Sequence, residues 1–191
     1  MLGSWDPPPE PGPHPTDPMR LVLFRHGPAE TRDATRWPDD SARPLTTAGA
    51  DRTRQAARGV ARLEPNIARV YSSPALRALD TARILSKELD LGAEPELLPT
   101  LSPDGTWRAV LERLRGEPAD ATVALVGHNP GMSHLAAGLL LAAGEGALMF
   151  KKAGACSITC EVPEPGRGRL RWWLRPAALR AVKPFKNGRV A

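Results

Sequence analysis

Short apolar runs that stop abruptly at polar or glycine-bearing steps alternate along this chain with longer stretches in which apolar residues recur at helical spacing. Leu21-Val22-Leu23-Phe24 is the first such run, and four large apolar residues in succession suit a strand buried on both faces, as in a parallel sheet. It ends at Arg25-His26-Gly27, where the glycine permits a sharp exit. Thr122 to Val126 repeats the pattern and ends at Gly127-His128-Asn129-Pro130. Ala68 to Tyr71 predicts a shorter strand that leads into Ser72-Ser73-Pro74, and Glu94 to Leu97 a weak one. Ala155 to Val162 and Arg169 to Leu174 alternate around the turn-like Pro163 to Gly168, which predicts an antiparallel pair.

Helical patterns fill the intervals. Thr46 or Thr47 caps a helix to about Leu63, with Gln55, Ala56, Val60 and Leu63 on its inner side and Arg52, Arg54, Arg58 and Arg62 on its wet one. Ser73 as cap, with Pro74 at the first helical position, starts a second helix to about Leu89. A third spans about Thr106 to Arg115, a fourth runs from Pro130 to about Ala142, and a short one is possible after Pro176. Pro28 to Pro44 remains a long, charge-rich loop, of a length that usually serves function.

The 191 residues suffice for one domain with a substantial core. Residues 1–18, with seven prolines and little that is apolar, predict a disordered tail, and residues 19–191 a single domain. Met19 stands just before the first strand, so translation starting there is a further expectation. The tail lacks the basic and apolar regions of a secretory signal, and no apolar run reaches the roughly 20 residues of a membrane span, so a cytoplasmic location is expected. Cys156 and Cys160 fall four residues apart on one strand, about 13 Å, beyond disulfide reach. They read as small buried side chains and offer no zinc signature. Residues 151–191 hold 10 of the 26 basic and 2 of the 21 acidic residues, so the net charge of +5 belongs to the C-terminal end, and residues 176–191 form a basic tail. His134 reads as structural, and of the adjoining Trp172 and Trp173 one is expected in the core and the other at the surface.

If the three strands that end at Gly27, Ser72 and Gly127 run parallel, they deliver Arg25, His26, Arg77 and His128 to one sheet edge, where ligands of open α/β sheets bind. The helix start after Ser73 adds free backbone N–H groups, a ready anion site. Two arginines and two histidines there suit a phosphoryl group: guanidinium forks match its oxygens and a neutral imidazole can attack it.

The ordered set Arg25-His26-Gly27, Arg43-Pro44-Leu45-Thr46, Ser72-Ser73-Pro74 with Arg77-Ala78 and Thr81-Ala82, and Gly127-His128-Asn129-Pro130 resembles the histidine phosphatase superfamily. Within it, the short chain and the Arg-Pro-Leu-Thr segment are most similar to the SixA-type phosphohistidine phosphatases, from about Arg20 to Leu174. The resemblance implies a three-layer α/β/α sandwich with a mostly parallel central sheet. It implies that His26 is the nucleophile, transiently phosphorylated, and that Arg25, Arg77 and His128 hold the phosphoryl oxygens, with Arg43 a further contact. Gly27 and Asn129 complete the expected phosphate-binding set, and neither a metal nor a cofactor is expected.

The departures concern the proton donor. Asn129 stands where acid-phosphatase relatives carry Asp, and Leu98-Pro99-Thr100-Leu101 where mutase-like relatives hold Glu. Of the nearby carboxylates Glu30, Asp33, Glu96 and Asp104, the first and last are the candidate acids. A site without an acid favours phosphohistidine over alkyl phosphates, because a phosphoimidazole whose other ring nitrogen is protonated departs as neutral imidazole. The expected partner is thus a phosphohistidine-bearing protein or a small phosphorylated substrate, and neither a membrane nor a nucleic acid. The competing readings are a small-molecule phosphomonoesterase and a non-catalytic module that binds a phosphoprotein or, through the basic end, a nucleic acid.

Overall fold

A computed structural model describes residues 17–142 and 148–184. The Pro-rich stretch 1–16 and the last seven residues of the basic tail lie outside the described residues. Six strands form one sheet, β1 (Met19–Arg25), β2 (Arg69–Ser72), β3 (Glu96–Leu97), β4 (Thr122–Gly127), β5 (Ala155–Cys160) and β6 (Arg169–Leu174), in the order β3-β2-β4-β1-β5-β6. The first four are mutually parallel, and β5 and β6 run antiparallel on the side of β1. Five α-helices, α1 (Thr47–Leu63), α2 (Leu76–Glu88), α3 (Trp107–Leu114), α4 (Gly131–Leu141) and α5 (Pro176–Ala181), accompany the sheet among the described residues.

The apolar run of β1 is central because both of its faces need cover. Leu21 and Leu23 point into a core with α3 and α4, where Leu111, Met132 and Leu135 meet Leu125 of β4. Val22 and Phe24 point the other way, onto Ala56 and Val60 of α1, Ala78 and Leu85 of α2 and Leu179 of α5. The result is the expected three-layer α/β/α sandwich. Cys156 and Cys160 are both free and buried in the first core, where burial pushes the Cys160 thiol up to about 11 and Cys156 higher still.

Local departures from the sequence reading have packing causes. Gln55 is exposed, and α1 instead buries Gly49, Thr53, Ala56, Ala57, Gly59 and Val60, because small residues let α5 and α2 approach. At Gly59 a Cβ would stand 2.0 Å from the Leu179 carbonyl. The second helix begins at Leu76, with Ala75 as its cap, so Ser73 is left outside it. Trp172 and Trp173 are both half-buried, one on each face of β6. Trp173 packs on Phe150, with ring centroids 4.1 Å apart, while the Trp172 indole donates to the buried carboxylate of Glu64 at 3.0 Å.

The parallel register positions the site. Arg25 pairs with Gly127 and Ser72 with Val126, and the ladder runs one step further through His26 N–H to the Gly127 carbonyl (3.0 Å) and Ser73 N–H to the Val126 carbonyl (3.0 Å). His26, Ser73 and His128 therefore leave the sheet side by side.

Candidate active site

His26 and His128 face each other with ring centroids 4.9 Å apart and planes at 53°. With Arg77, drawn in from the first turn of α2, they are almost fully buried, at 6%, 4% and 4% exposure respectively. The sequence thus places all of Arg25, His26, Arg77 and His128 at one edge, and the structure brings them together there.

The environment of His26 sets its chemistry. Its Nδ1 lies 2.7 Å from the Gly27 carbonyl oxygen, which can only accept, so Nδ1 carries the hydrogen and Nε2 the lone pair. Gly27 is in turn fixed by its N–H, which donates to Thr81 Oγ1 at 3.0 Å, and the Thr81 hydroxyl donates to the Arg77 carbonyl at 2.8 Å. A Cβ on Gly27 would stand 2.0 Å from Thr53 Oγ1, so glycine is required there for the close approach of α1. The main-chain groups of Gly27 serve His26 and Thr81, so the residue acts on the site through its carbonyl. His128 Nε2 shares a hydrogen bond with Ser73 Oγ at 2.9 Å, and the same oxygen accepts from Ala75 N–H at 3.3 Å.

Burial, and next the neighbouring His128, push the His26 pKa down to about 3, with Arg77 and Arg25 adding to the effect against the Gly27 hydrogen bond. Burial, and after it Arg77 and Arg25, push His128 down to about 4. Both imidazoles are therefore neutral at neutral pH, as a nucleophile requires. The unfolded chain takes up protons on these two residues near pH 6.5 while the folded protein does not. Stability is accordingly expected to fall as pH drops from about 6.5 toward 4, by up to about 1.4 kcal/mol per pH unit for each histidine. Urea midpoints between pH 7 and 4.5 check this, and the decline should be shallower in His128→Asn.

The arginines are held by a residue that the sequence reading leaves among the loop charges. Asp40 opens a single 3₁₀ turn, Asp40–Ala42, capped by the Asp39 side chain. Its Oδ1 accepts from Arg43 Nε at 2.9 Å, and its Oδ2 and main-chain oxygen accept from Arg77 Nη2 and Nη1 at 3.0 and 2.7 Å. Arg43 also donates to the Glu30 carbonyl at 2.7 Å, and Arg32 lies 3.7 Å from Asp40. The Arg43 hydrogen bond above all, with the Arg77 charge behind it, holds the Asp40 carboxyl below its usual range despite partial burial, so it stays a carboxylate and is unsuited to give a proton. Only its four-residue spacing from Pro44 in the Arg-Pro-Leu-Thr segment could have drawn attention to it. Across the site, Arg25 Nη1 donates to the Phe150 carbonyl at 2.6 Å, and Asn129 Nδ2 donates to the same oxygen at 3.2 Å.

Arg25 Nε, Arg77 Nε and Asn129 Oδ1 are buried without a hydrogen-bond partner among the described residues. Leaving such groups unpaired costs about 1–3 kcal/mol each. The candidate acids do not join them. The Glu30 carboxylate pairs with Arg36 at 3.5 Å, and Asp104 is exposed in the loop before α3. Asp33 caps Thr35 and Arg36, and Glu96 pairs with Arg113 at 3.2 Å. No group of three or more His, Cys, Asp and Glu side chains among the described residues could hold a metal ion, and no described helix is long and apolar enough to cross a membrane.

Comparison with known proteins agrees with this geometry. The family model of the histidine phosphatase superfamily (branch 1) matches residues 21–102. The chain is 34% identical over 168 residues to the phosphohistidine phosphatase SixA of Escherichia coli (strain K12), which covers 86% of this chain and 99% of the relative. The solved structure of the protein histidine phosphatase SixA complexed with tungstate superposes with a TM-score of 0.73 at 33% identity, over 84% of this chain and 99% of that one. A mycobacterial glucosyl-3-phosphoglycerate phosphatase, at 21% identity and a TM-score of 0.56 over 82% and 98%, shares the fold.

Proposed function

Since the chain belongs to the histidine phosphatase superfamily, we propose that it hydrolyses phosphohistidine, carrying the phosphoryl group transiently on His26. The observation that carries this reading is the Nδ1–H of His26 pointing to the Gly27 carbonyl, which leaves the Nε2 lone pair as the nucleophile. In the first step Nε2 attacks phosphorus, the bond from phosphorus to the substrate imidazole breaks, and its electron pair returns to that ring. If the substrate ring carries a proton on its other nitrogen, it departs as neutral imidazole. His26 then holds the phosphoryl group on Nε2 and the proton on Nδ1, in the same state as the substrate before it. Water attacks this intermediate, the phosphorus–Nε2 bond breaks, and dihydrogen phosphate leaves with both water hydrogens. Neither step calls for an acid, consistent with the Asp40 carboxylate being fixed in its charged form between Arg43 and Arg77.

Arg25, Arg77 and His128 contact the phosphoryl oxygens in this reading, with Arg43 behind them, and preorganised cations supply most of the transition-state stabilisation. Asn129 supports Arg25 through the shared Phe150 carbonyl. A pocket that merely binds a phosphoryl group has no use for an imidazole fixed in the attacking tautomer, which favours an enzyme over a binding module. The substrate histidine is proposed to be borne by a protein. An alkoxide gains 10²- to 10⁴-fold from a proton donor that this site lacks. Thus kcat/KM for a phosphoimidazole is expected to exceed that for an alkyl phosphate by about 10²-fold or more. Equal values in a substrate panel would instead favour the small-molecule phosphomonoesterase.

A further inference from the structure

Lys151 and Lys152 belong by position to the basic C-terminal part of the chain, and the fold sets their turn beside the sheet edge that carries His26. The segment from Phe150 to Gly154 is fastened to the end of β1. The Phe150 carbonyl takes Arg25 Nη1 and Asn129 Nδ2, and the Ala153 N–H reaches the carbonyls of both Arg25 and His26 at 3.1 Å. Between these anchors Gly154 N–H closes a tight turn on the Lys151 carbonyl at 2.8 Å, and Ala153 adopts a φ of 58°, a conformation that costs a residue with a Cβ about 1–2 kcal/mol. These hydrogen bonds hold the turn there, and it presents Lys152 at the rim of the pocket, largely open to solvent.

The charges that act most on this lysine are cationic. Arg25, Arg43 and Arg77 each disfavour its ammonium form, after the larger effect of its partial burial, and lower its pKa. Among the described residues no carboxylate lies within ion-pair distance of it. The pocket therefore gathers Arg25, Arg43, Arg77 and Lys152 against the single carboxylate of Asp40. Such a cluster of like charge repels itself and favours a bound anion.

We propose that Lys152 is a fourth cation of the phosphoryl site, its ammonium contacting the phosphoryl group alongside the three arginines. The proposal rests on the phosphatase reading of the pocket. An ammonium adds a mobile point charge to the fixed guanidinium forks, and so can follow the phosphoryl group as it moves from the substrate to His26. It also gives an affinity that ends at high pH. Guanidinium groups are not deprotonated in proteins, the Asp40 carboxyl is held below its usual range and both imidazoles are already neutral, so of these groups Lys152 is the one able to change charge at alkaline pH.

The test measures binding of inorganic phosphate by calorimetry, and turnover of a phosphoimidazole, on the full chain. Lys152→Met is expected to weaken phosphate binding and raise KM by roughly tenfold, the scale of one solvent-exposed charge-assisted contact. Lys152→Arg should stay within about threefold of the wild type, on the same scale. Wild-type affinity should fall at alkaline pH, and the fall should vanish in Lys152→Arg. Lys152→Met that binds phosphate as tightly as the wild type would overturn the proposal while leaving the pocket reading intact. A wild-type protein that binds no phosphate, with His26→Ala still turning over, would overturn the pocket reading itself.

Discussion

His26→Ala is expected to lower turnover of a phosphoimidazole by about 10⁴-fold or more, the scale seen when a covalent nucleophile is removed from a preorganised site. The loss should fall on kcat, because the arginines that bind the phosphoryl group remain. The alanine variant should fold normally: the His26 side chain bonds only the Gly27 carbonyl, and Gly27 keeps its bond to Thr81. Near-native turnover in a folded variant would exclude His26 as the attacking group.

The next largest effect is expected at Arg77. Replacing it by alanine removes a buried guanidinium that faces the proposed phosphoryl position and anchors the Asp40 turn, and should lower kcat/KM by about 10²- to 10³-fold, as for one preorganised donor to developing charge. Arg77→Lys should recover little of this. A lysine offers one point charge, whereas Arg77 gives two Nη groups to Asp40 at once. Steady-state kinetics on both variants, with circular dichroism to confirm folding, decide the matter. Full rescue by lysine would mean that Arg77 acts by charge alone.

The residues at the strand ends were legible in the sequence because the signal is local. An apolar run that stops at a glycine-bearing step fixes the strand end, and the ends of β1 and β4 are histidine-bearing by inspection. Parallel pairing then brings them together without further information. Asp40 and Lys152 were not legible for the same reason in reverse. Each is a charge in a loop, indistinguishable from Asp39 or Lys151 beside it until the tertiary fold turns one toward the arginines. Glu30 and Asp104 show the converse, as carboxylates close to the motifs in sequence that the loops direct elsewhere. Sequence alone starts α2 too early because Ser73-Pro74 carries a cap signal, while the Ser73 hydroxyl is shared between His128 and the Ala75 N–H and the helix opens at Leu76. Gln55 looked inward by spacing, but α1 meets α5 and α2 through glycine and alanine, which turns its buried face toward Ala57 and Gly59.

A covalent intermediate on His26 can be trapped and located. The protein is mixed with a phosphoimidazole substrate, quenched in base within the first turnover to preserve phosphohistidine, digested, and its peptides examined by mass spectrometry. A single phosphate is expected on His26, absent from His26→Ala. Phosphate on His128 or on any other residue, or rapid turnover of substrate with no phosphorylated protein at any quench time, would contradict it.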